Sequence, residues 1–143
     1  MEEEALKKIF IMSYEGAIPA GFPSPAQDYL EKRIDLNEVF ITNELSSFLF
    51  ESEGNSMINA FIPPRAKLLV DRSITPLNGD IVLAILDGEF TIKFLKKNEF
   101  KCWLCAANPK FPDIQITEEM NMKVWGVVTG IFIKPRDVKS CML

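Results

Sequence analysis

Histidine is absent from all 143 residues. Its absence removes Ser–His–Asp and Cys–His nucleophiles, and most zinc sites with them. Cysteine is scarce, and Cys102, Cys105 and Cys141 are too few for a disulfide framework. Cys102-Trp103-Leu104-Cys105 has the form of a redox or zinc motif, but it lies in a strand-like run, Phe100 to Ala107, rather than at the opening of a helix. A zinc site needs four ligands, and only one further cysteine exists. Packed thiols are the reading, with no metal and no cofactor expected. Positive charge is also short: 16 Lys and Arg against 20 Asp and Glu leave a net charge of 16 − 20 = −4. That balance argues against sequence-independent nucleic-acid binding, which needs a basic surface. No apolar run approaches the roughly 20 residues of a membrane helix. The acidic start, Met1-Glu2-Glu3-Glu4, is the opposite of a signal peptide, so a cytoplasmic location is expected. The carboxylates of Asp35, Glu38, Asp71 and Asp80 are scattered, which gives no support to a paired-carboxylate mechanism.

What the chain does have is enough apolar sequence for a core: hydrophobic residues are 48% of the total. Two textures are visible, an arm over residues 1–40 and a β-rich body over residues 41–143. In the arm, Ala5, Ile9 and Met12 are spaced for one face of a helix from Glu2 to Met12. Glu15 to Pro25 then carries three prolines and two glycines in eleven residues, which blocks helix and central strand alike. An exposed, extended tether is expected there. Ser24 reads as an N-cap with Pro25 at the first helical position, opening a helix from about Ala26 to Ile34.

From Val39 onward the pattern is β. Ser47–Glu51, Lys67–Asp71, Ile81–Leu86, Glu89–Lys96, Phe100–Ala107 and Met122–Lys134 read as strands. Asp87-Gly88 between two of them is the strongest hairpin signal in the chain. No helices of 10–15 residues alternate with these strands, so a parallel α/β sheet is not expected. The fold class is mainly β: a compact antiparallel β domain with a short helical or extended N-terminal arm.

Without histidine, a nucleophile needs another base, and a lysine kept neutral by burial is the available replacement. Lys93 is the lysine set in hydrophobic sequence on both sides, Phe90-Thr91-Ile92-Lys93-Phe94-Leu95. Lowering a lysine from about 10.4 to near 7 or 8 costs about 3–5 kcal/mol, the scale of desolvation in an apolar pocket. Alternation puts Lys93 on the face of Thr91 and Leu95, with little else polar. Ser56, in Gly54-Asn55-Ser56-Met57, is the serine such a base could serve, with nearby backbone N–H groups to receive an oxyanion. Taken singly, Ser56 reads more readily as a turn residue, and Lys93 as an edge-strand lysine reaching solvent. Composition leaves both readings open.

Several segments in order carry a resemblance. Gly21-Phe22-Pro23-Ser24-Pro25 continuing to Asn37, Gly54-Asn55-Ser56-Met57-Ile58, Asn78-Gly79-Asp80-Ile81-Val82, Asp87-Gly88-Glu89-Phe90-Thr91-Ile92-Lys93 and Gly126-Val127-Val128 together resemble the LexA/UmuD-like family of self-cleaving Ser–Lys proteases. The likeness spans about residues 15 to 135, and the separation 93 − 56 = 37 agrees with it. The resemblance implies Ser56 as nucleophile, Lys93 as general base and Ala20-Gly21 as the scissile bond, so that residues 1–20 are removed. It also implies slow cleavage promoted by a RecA filament on single-stranded DNA, a homodimer, and a trimmed product that joins a UmuC-like Y-family subunit in an error-prone translesion polymerase of the SOS response. Two alternatives belong beside it. A LexA-like repressor places a helix-turn-helix domain ahead of the protease; about twenty residues, acidic on balance, precede the cleavage bond, too few for that, so direct sequence-specific DNA binding is not expected. A noncatalytic interaction module of the same fold would hold the serine and lysine apart.

Overall fold

The computed structural model describes residues 8–14, 16–22 and 31–138. Two compact units divide the chain, Met1–Thr42 and Asn43–Leu143.

In the first unit, β1 (Ile11–Tyr14) pairs antiparallel with β2 (Glu31–Ile34), with Ile11 opposite Ile34 and Tyr14 opposite Glu31. This corrects both helices expected in the arm. Ile11 and Met12 are strand rather than the end of a helix from Glu2, and Glu31–Ile34 is strand rather than the end of one from Ala26. The rest of those two spans, Ser24 and Pro25 included, lies outside the described residues apart from Lys8–Phe10, which form no regular element. The physical reason lies at Asp35. Its side chain accepts from the Asn37 N–H at 2.9 Å, and its backbone is extended, φ −95° and ψ 117°, as an N-cap must be. A helix therefore starts after Asp35, as α1 (Leu36–Phe40), and the chain before it is free to pair as a strand. Val39 and Phe40, read as the onset of the β region, close that helix. Gly16–Phe22 forms no helix or strand and is exposed throughout, in keeping with the expected tether.

The second unit is one antiparallel sheet of seven strands. These are β3 (Ser47–Glu51), β4 (Lys67–Asp71), β5 (Ile81–Leu86), β6 (Glu89–Lys97), β7 (Cys102–Cys105), β8 (Ile114–Gln115) and β9 (Met122–Phe132). Their order across the sheet is β3-β4-β9-β5-β6-β7-β8, and every pairing is antiparallel. The mainly antiparallel β class expected from the sequence is what the chain adopts.

Strand alternation divides the buried side chains between two cores. Leu83 faces Met57, Ile62, Ala66, Leu68 and Val70, with Ile92, Trp125 and Val128 packed around them. Val82 and Ala84 face Leu95, Leu104 and Val127, with Val124 and Met122 alongside. Each fully buried aliphatic side chain contributes about 1.5–3 kcal/mol. β9 serves both cores by the same alternation, and its register slips twice. The pairings pass from Leu83–Gly126 to Ala84–Val124 and from Leu69–Gly130 to Val70–Val128, leaving Trp125 and Thr129 as extra residues. The slip at Trp125 lets Val124 and Val127 share one core while Trp125 and Val128 share the other. Gly126 has no room for a side chain, since a Cβ there would lie 2.6 Å from Val70 Cγ1 and 3.2 Å from the Asp71 carbonyl oxygen.

Two local features fix the ends of strands. Asp87 (φ 47°) and Gly88 (φ 84°) both take positive φ, as the two-residue turn joining β5 to β6 requires. At the end of β4, buried Asp71 accepts from Asn43 Nδ2 (2.9 Å), Ser46 Oγ (2.7 Å), Ser73 N (2.8 Å) and Ser73 Oγ (2.7 Å). These bonds, Asn43 foremost, hold its carboxyl well below the usual carboxylate range.

Candidate active site

Lys93 lies in the middle of β6, opposite Val82 of β5. β7 pairs with β6 only over Phe94–Lys97, so Glu89–Lys93 forms an open sheet edge on that side. Leu95 bonds toward β5, its N–H meeting the Asp80 carbonyl at 2.8 Å. By alternation, the backbone groups of Phe90 and Ile92 point at the open edge.

Three groups surround the lysine amine. Its Nζ lies 3.1 Å from Ser56 Oγ, 2.9 Å from Thr91 Oγ1 and 3.0 Å from the Ile92 carbonyl oxygen. No carboxylate is among them. Desolvation pushes the Lys93 pKa below the ordinary lysine value. A neutral amine has two hydrogens and one lone pair. The Ile92 carbonyl can only accept, whereas the hydroxyls of Thr91 and Ser56 can each accept or donate. The amine is thus held by three oxygens of the protein in a half-buried setting.

Ser56 sits where no strand could carry it. After β3 ends at Glu51 the chain turns through Gly54, φ 79°, into a 3-10 turn at Ile58–Ala60 that ends with Phe61 left-handed, φ 63°. Longer-range bonds hold this loop in place. The Ser56 carbonyl accepts from Ala107 N at 2.8 Å, Asn59 N donates to the Ala107 carbonyl at 2.9 Å, and Asn108 Nδ2 donates to the Asn55 carbonyl at 2.9 Å. Within the described residues, the backbone N–H groups of Ser56 and Met57 donate to no acceptor of the chain. Both are therefore free to meet an acceptor from outside the chain.

A cavity of about 400 Å³ opens beside the pair, lined by Ser56 and Lys93 together with Phe50, Met57, Ile62, Leu83, Phe90 and Ile92. A second, of about 340 Å³, also reaches Thr91 and Lys93 and is walled by Leu86, Phe90, Phe111 and Ile114. Trp125 stands edge-on to Phe48, Phe50 and Phe90, at centroid distances of 5.1, 5.2 and 6.2 Å, and stiffens the wall that Phe50 and Phe90 present.

The two residues singled out for chemistry, 37 apart in sequence, are thus side by side in the fold. Ala20 and Gly21 lie in the first unit, exposed in its irregular segment. Cys102 and Cys105 are free thiols, raised above the usual thiol value by burial and, at Cys105, also by Asp113, which makes them poor nucleophiles. Cys141 lies outside the described residues. No cluster of three metal-ligating side chains occurs among the described residues, and no helix there is long and apolar enough to cross a membrane. The sequence reading missed Asn108 and the hub at Asp71. Neither has a local signal, since Asn108 meets a residue 53 positions away and Asp71 draws on Asn43, 28 positions away.

Comparison with known proteins adds a family. The Peptidase S24-like family model matches residues 12–129. The chain is 38% identical to protein SamA of Salmonella typhimurium over 118 residues, covering 82% of this chain and 81% of SamA. It is 36% identical to protein MucA of Escherichia coli over 122 residues, 85% of this chain and 83% of MucA. To the LexA repressor of Thermotoga petrophila it is 35% identical over 119 residues, 83% of this chain and 60% of the repressor.

Proposed function

The chain belongs to the Peptidase S24-like family, and we propose on that premise that it is a self-cleaving serine endopeptidase with Ser56 as nucleophile and Lys93 as general base. The scissile bond is Ala20-Gly21, and residues 1–20 are the arm that is lost. The observation that carries this reading is the 3.1 Å contact between Lys93 Nζ and Ser56 Oγ, made by an amine whose other two neighbours accept its hydrogens.

The chemistry follows from that contact. Neutral Lys93 takes the Ser56 hydroxyl proton as Oγ attacks the Ala20 carbonyl carbon. The tetrahedral oxyanion is received by the Ser56 and Met57 N–H groups. The C–N bond then breaks, and the lysine ammonium passes its proton to the departing Gly21 amine. Water, deprotonated by Lys93, hydrolyses the Ala20 acyl ester and regenerates both side chains. Substrate fits the open edge of β6, where the Phe90 and Ile92 backbone groups offer hydrogen bonds to an extended segment. A small residue at Ala20, in an exposed stretch without regular structure, suits such a segment.

The biological setting follows from the same family reading. The trimmed chain acts as a cytoplasmic accessory subunit of an error-prone polymerase in the SOS response to DNA damage. It pairs as a homodimer and with a UmuC-like Y-family subunit, and a RecA filament on single-stranded DNA promotes its cleavage. The relatives SamA and MucA, matched over more than four fifths of each, support this setting.

Incubation of the full chain at rising pH, followed by mass spectrometry, tests the chemistry without any activator. A fragment beginning at Gly21 is expected to form faster as pH rises, because base supplies the neutral amine. A chain that stays intact at every pH, even with the filament present, favours the noncatalytic module.

A further inference from the structure

Asn55, Ser56 and Met57 form a loop with no strand partner, yet catalysis needs Ser56 Oγ held to within a few tenths of an ångström. The loop is held at two successive peptide groups, and both ties come from one dipeptide. The Ser56-Met57 peptide is held through its carbonyl by the Ala107 N–H at 2.8 Å. The Asn55-Ser56 peptide is held through its carbonyl by Asn108 Nδ2 at 2.9 Å, with the Ile58 N–H a longer second donor at 3.3 Å. Asn108 is itself oriented, because its Oδ1 accepts from the Lys110 N–H at 3.0 Å and its amide nitrogen must then face Asn55.

From this arrangement we propose that Asn108 is a positioning residue for the nucleophile. A trans peptide is planar, with its carbonyl and N–H pointing opposite ways. Holding the Asn55 carbonyl therefore fixes the direction of the Ser56 N–H, one of the two donors available to the oxyanion. Holding the planes on both sides of the Ser56 Cα fixes its φ and ψ, and with them the Cα–Cβ bond that aims Oγ at Lys93. Ala107 acts through its backbone, so Asn108 is the side chain through which the aim can be altered. This rests on the reading of Ser56 as nucleophile.

Self-cleavage of the full chain should be followed as a first-order rate across pH, with thermal melting alongside, for wild type, Asn108→Ala and Asn108→Asp. Asn108→Asp keeps the acceptor for Lys110 and removes the donor to Asn55. Both variants are expected to cleave about 10-fold more slowly at every pH, the scale of a slightly misaimed nucleophile. The pH midpoint of Asn108→Ala should stay at the wild-type value, because that change brings no charge near Lys93. Asn108→Asp cleaving at the wild-type rate would overturn the proposal, since the residue would then serve only its own turn. A shift of the Asn108→Ala midpoint in step with its rate would also overturn it, placing the effect on the lysine. If Asn108→Ala melts too low to assay, Asn108→Asp decides alone. Wild type failing to cleave counts against the catalytic reading itself, and this proposal falls with it; wild type cleaving beside unimpaired variants counts against Asn108 only.

Discussion

Ser56 and Lys93 touch, yet they are held by opposite means. Lys93 stands in a nine-residue strand, hydrogen-bonded along β5 and closed by a two-residue turn whose sequence dictates its geometry. Ser56 stands in a loop whose shape includes left-handed Gly54, Phe61 and Arg65, and whose ties reach more than fifty residues along the chain. The strand side is built from local rules, the loop side from contacts that exist only once the sheet has folded. The lysine is steadied by the ladder of its own strand. The serine is steadied at two successive peptide groups by residues from the far end of the sequence.

That contrast can be broken at several points. The largest effect belongs to the reacting groups: Ser56→Ala and Lys93→Met should each reduce formation of the Gly21 fragment by about 10⁴-fold or more, read by mass spectrometry. The same Lys93→Met change should not cost stability. The folded pKa of Lys93 lies below its unfolded value, so the unfolded chain binds more protons between the two, and wild-type stability rises with pH across that window. Replacing the lysine should flatten that rise and lift the melting temperature at neutral pH; a lower melting temperature there would mean that the amine stabilises the fold.

The next effect strikes the sheet. Gly126→Ala puts a Cβ 2.6 Å from Val70 Cγ1, and should destabilise the protein by about 1–3 kcal/mol in denaturant unfolding. Because Gly126 pairs with Leu83 beside the cavity, cleavage should weaken with it. Cleavage unaffected in this variant would show that the strand side does not depend on β9.

Smaller effects sharpen the contrast. Thr91→Val removes one of the two acceptors that take the amine's hydrogens, and should slow cleavage about 10-fold while leaving the melting temperature near wild type. The Asp71 hub lies away from the dyad and should matter through stability alone. Its folded pKa is depressed, so its contribution is present above the ordinary carboxylate range and is lost as pH falls through that range and below. Asp71→Asn should therefore melt lower than wild type at neutral pH, with the gap closing in acid.

The same contrast governs how much was legible in the sequence. β3, β4 and β5 fall where alternation and turn signals put them, and Asp87-Gly88 marks its hairpin. β7 is shorter than the run from Phe100 to Ala107, because the chain leaves β6 after Cys105 to meet Ser56. β1 and β2 were invisible because each is a strand only by virtue of the other, and Asp35 caps a helix too short to leave a periodic signal. β8, two residues long, has no pattern to read, and the slips in β9 depend on partners on two other strands. At the site, Lys93 was legible from its apolar setting and the lack of histidine. Asn108 was not, because nothing near it in sequence reports the carbonyl it meets.

The three neighbours of the Lys93 amine have one more consequence. In its protonated form the amine has a third hydrogen, and that hydrogen falls on the oxygen of Ser56, engaging the lone pair an attack would use. On the proposed mechanism a protonated amine is therefore a safety catch built into the trigger. Self-cleavage would then run as a timer, with the fraction of copies carrying a bare amine at any moment setting how long the leader survives.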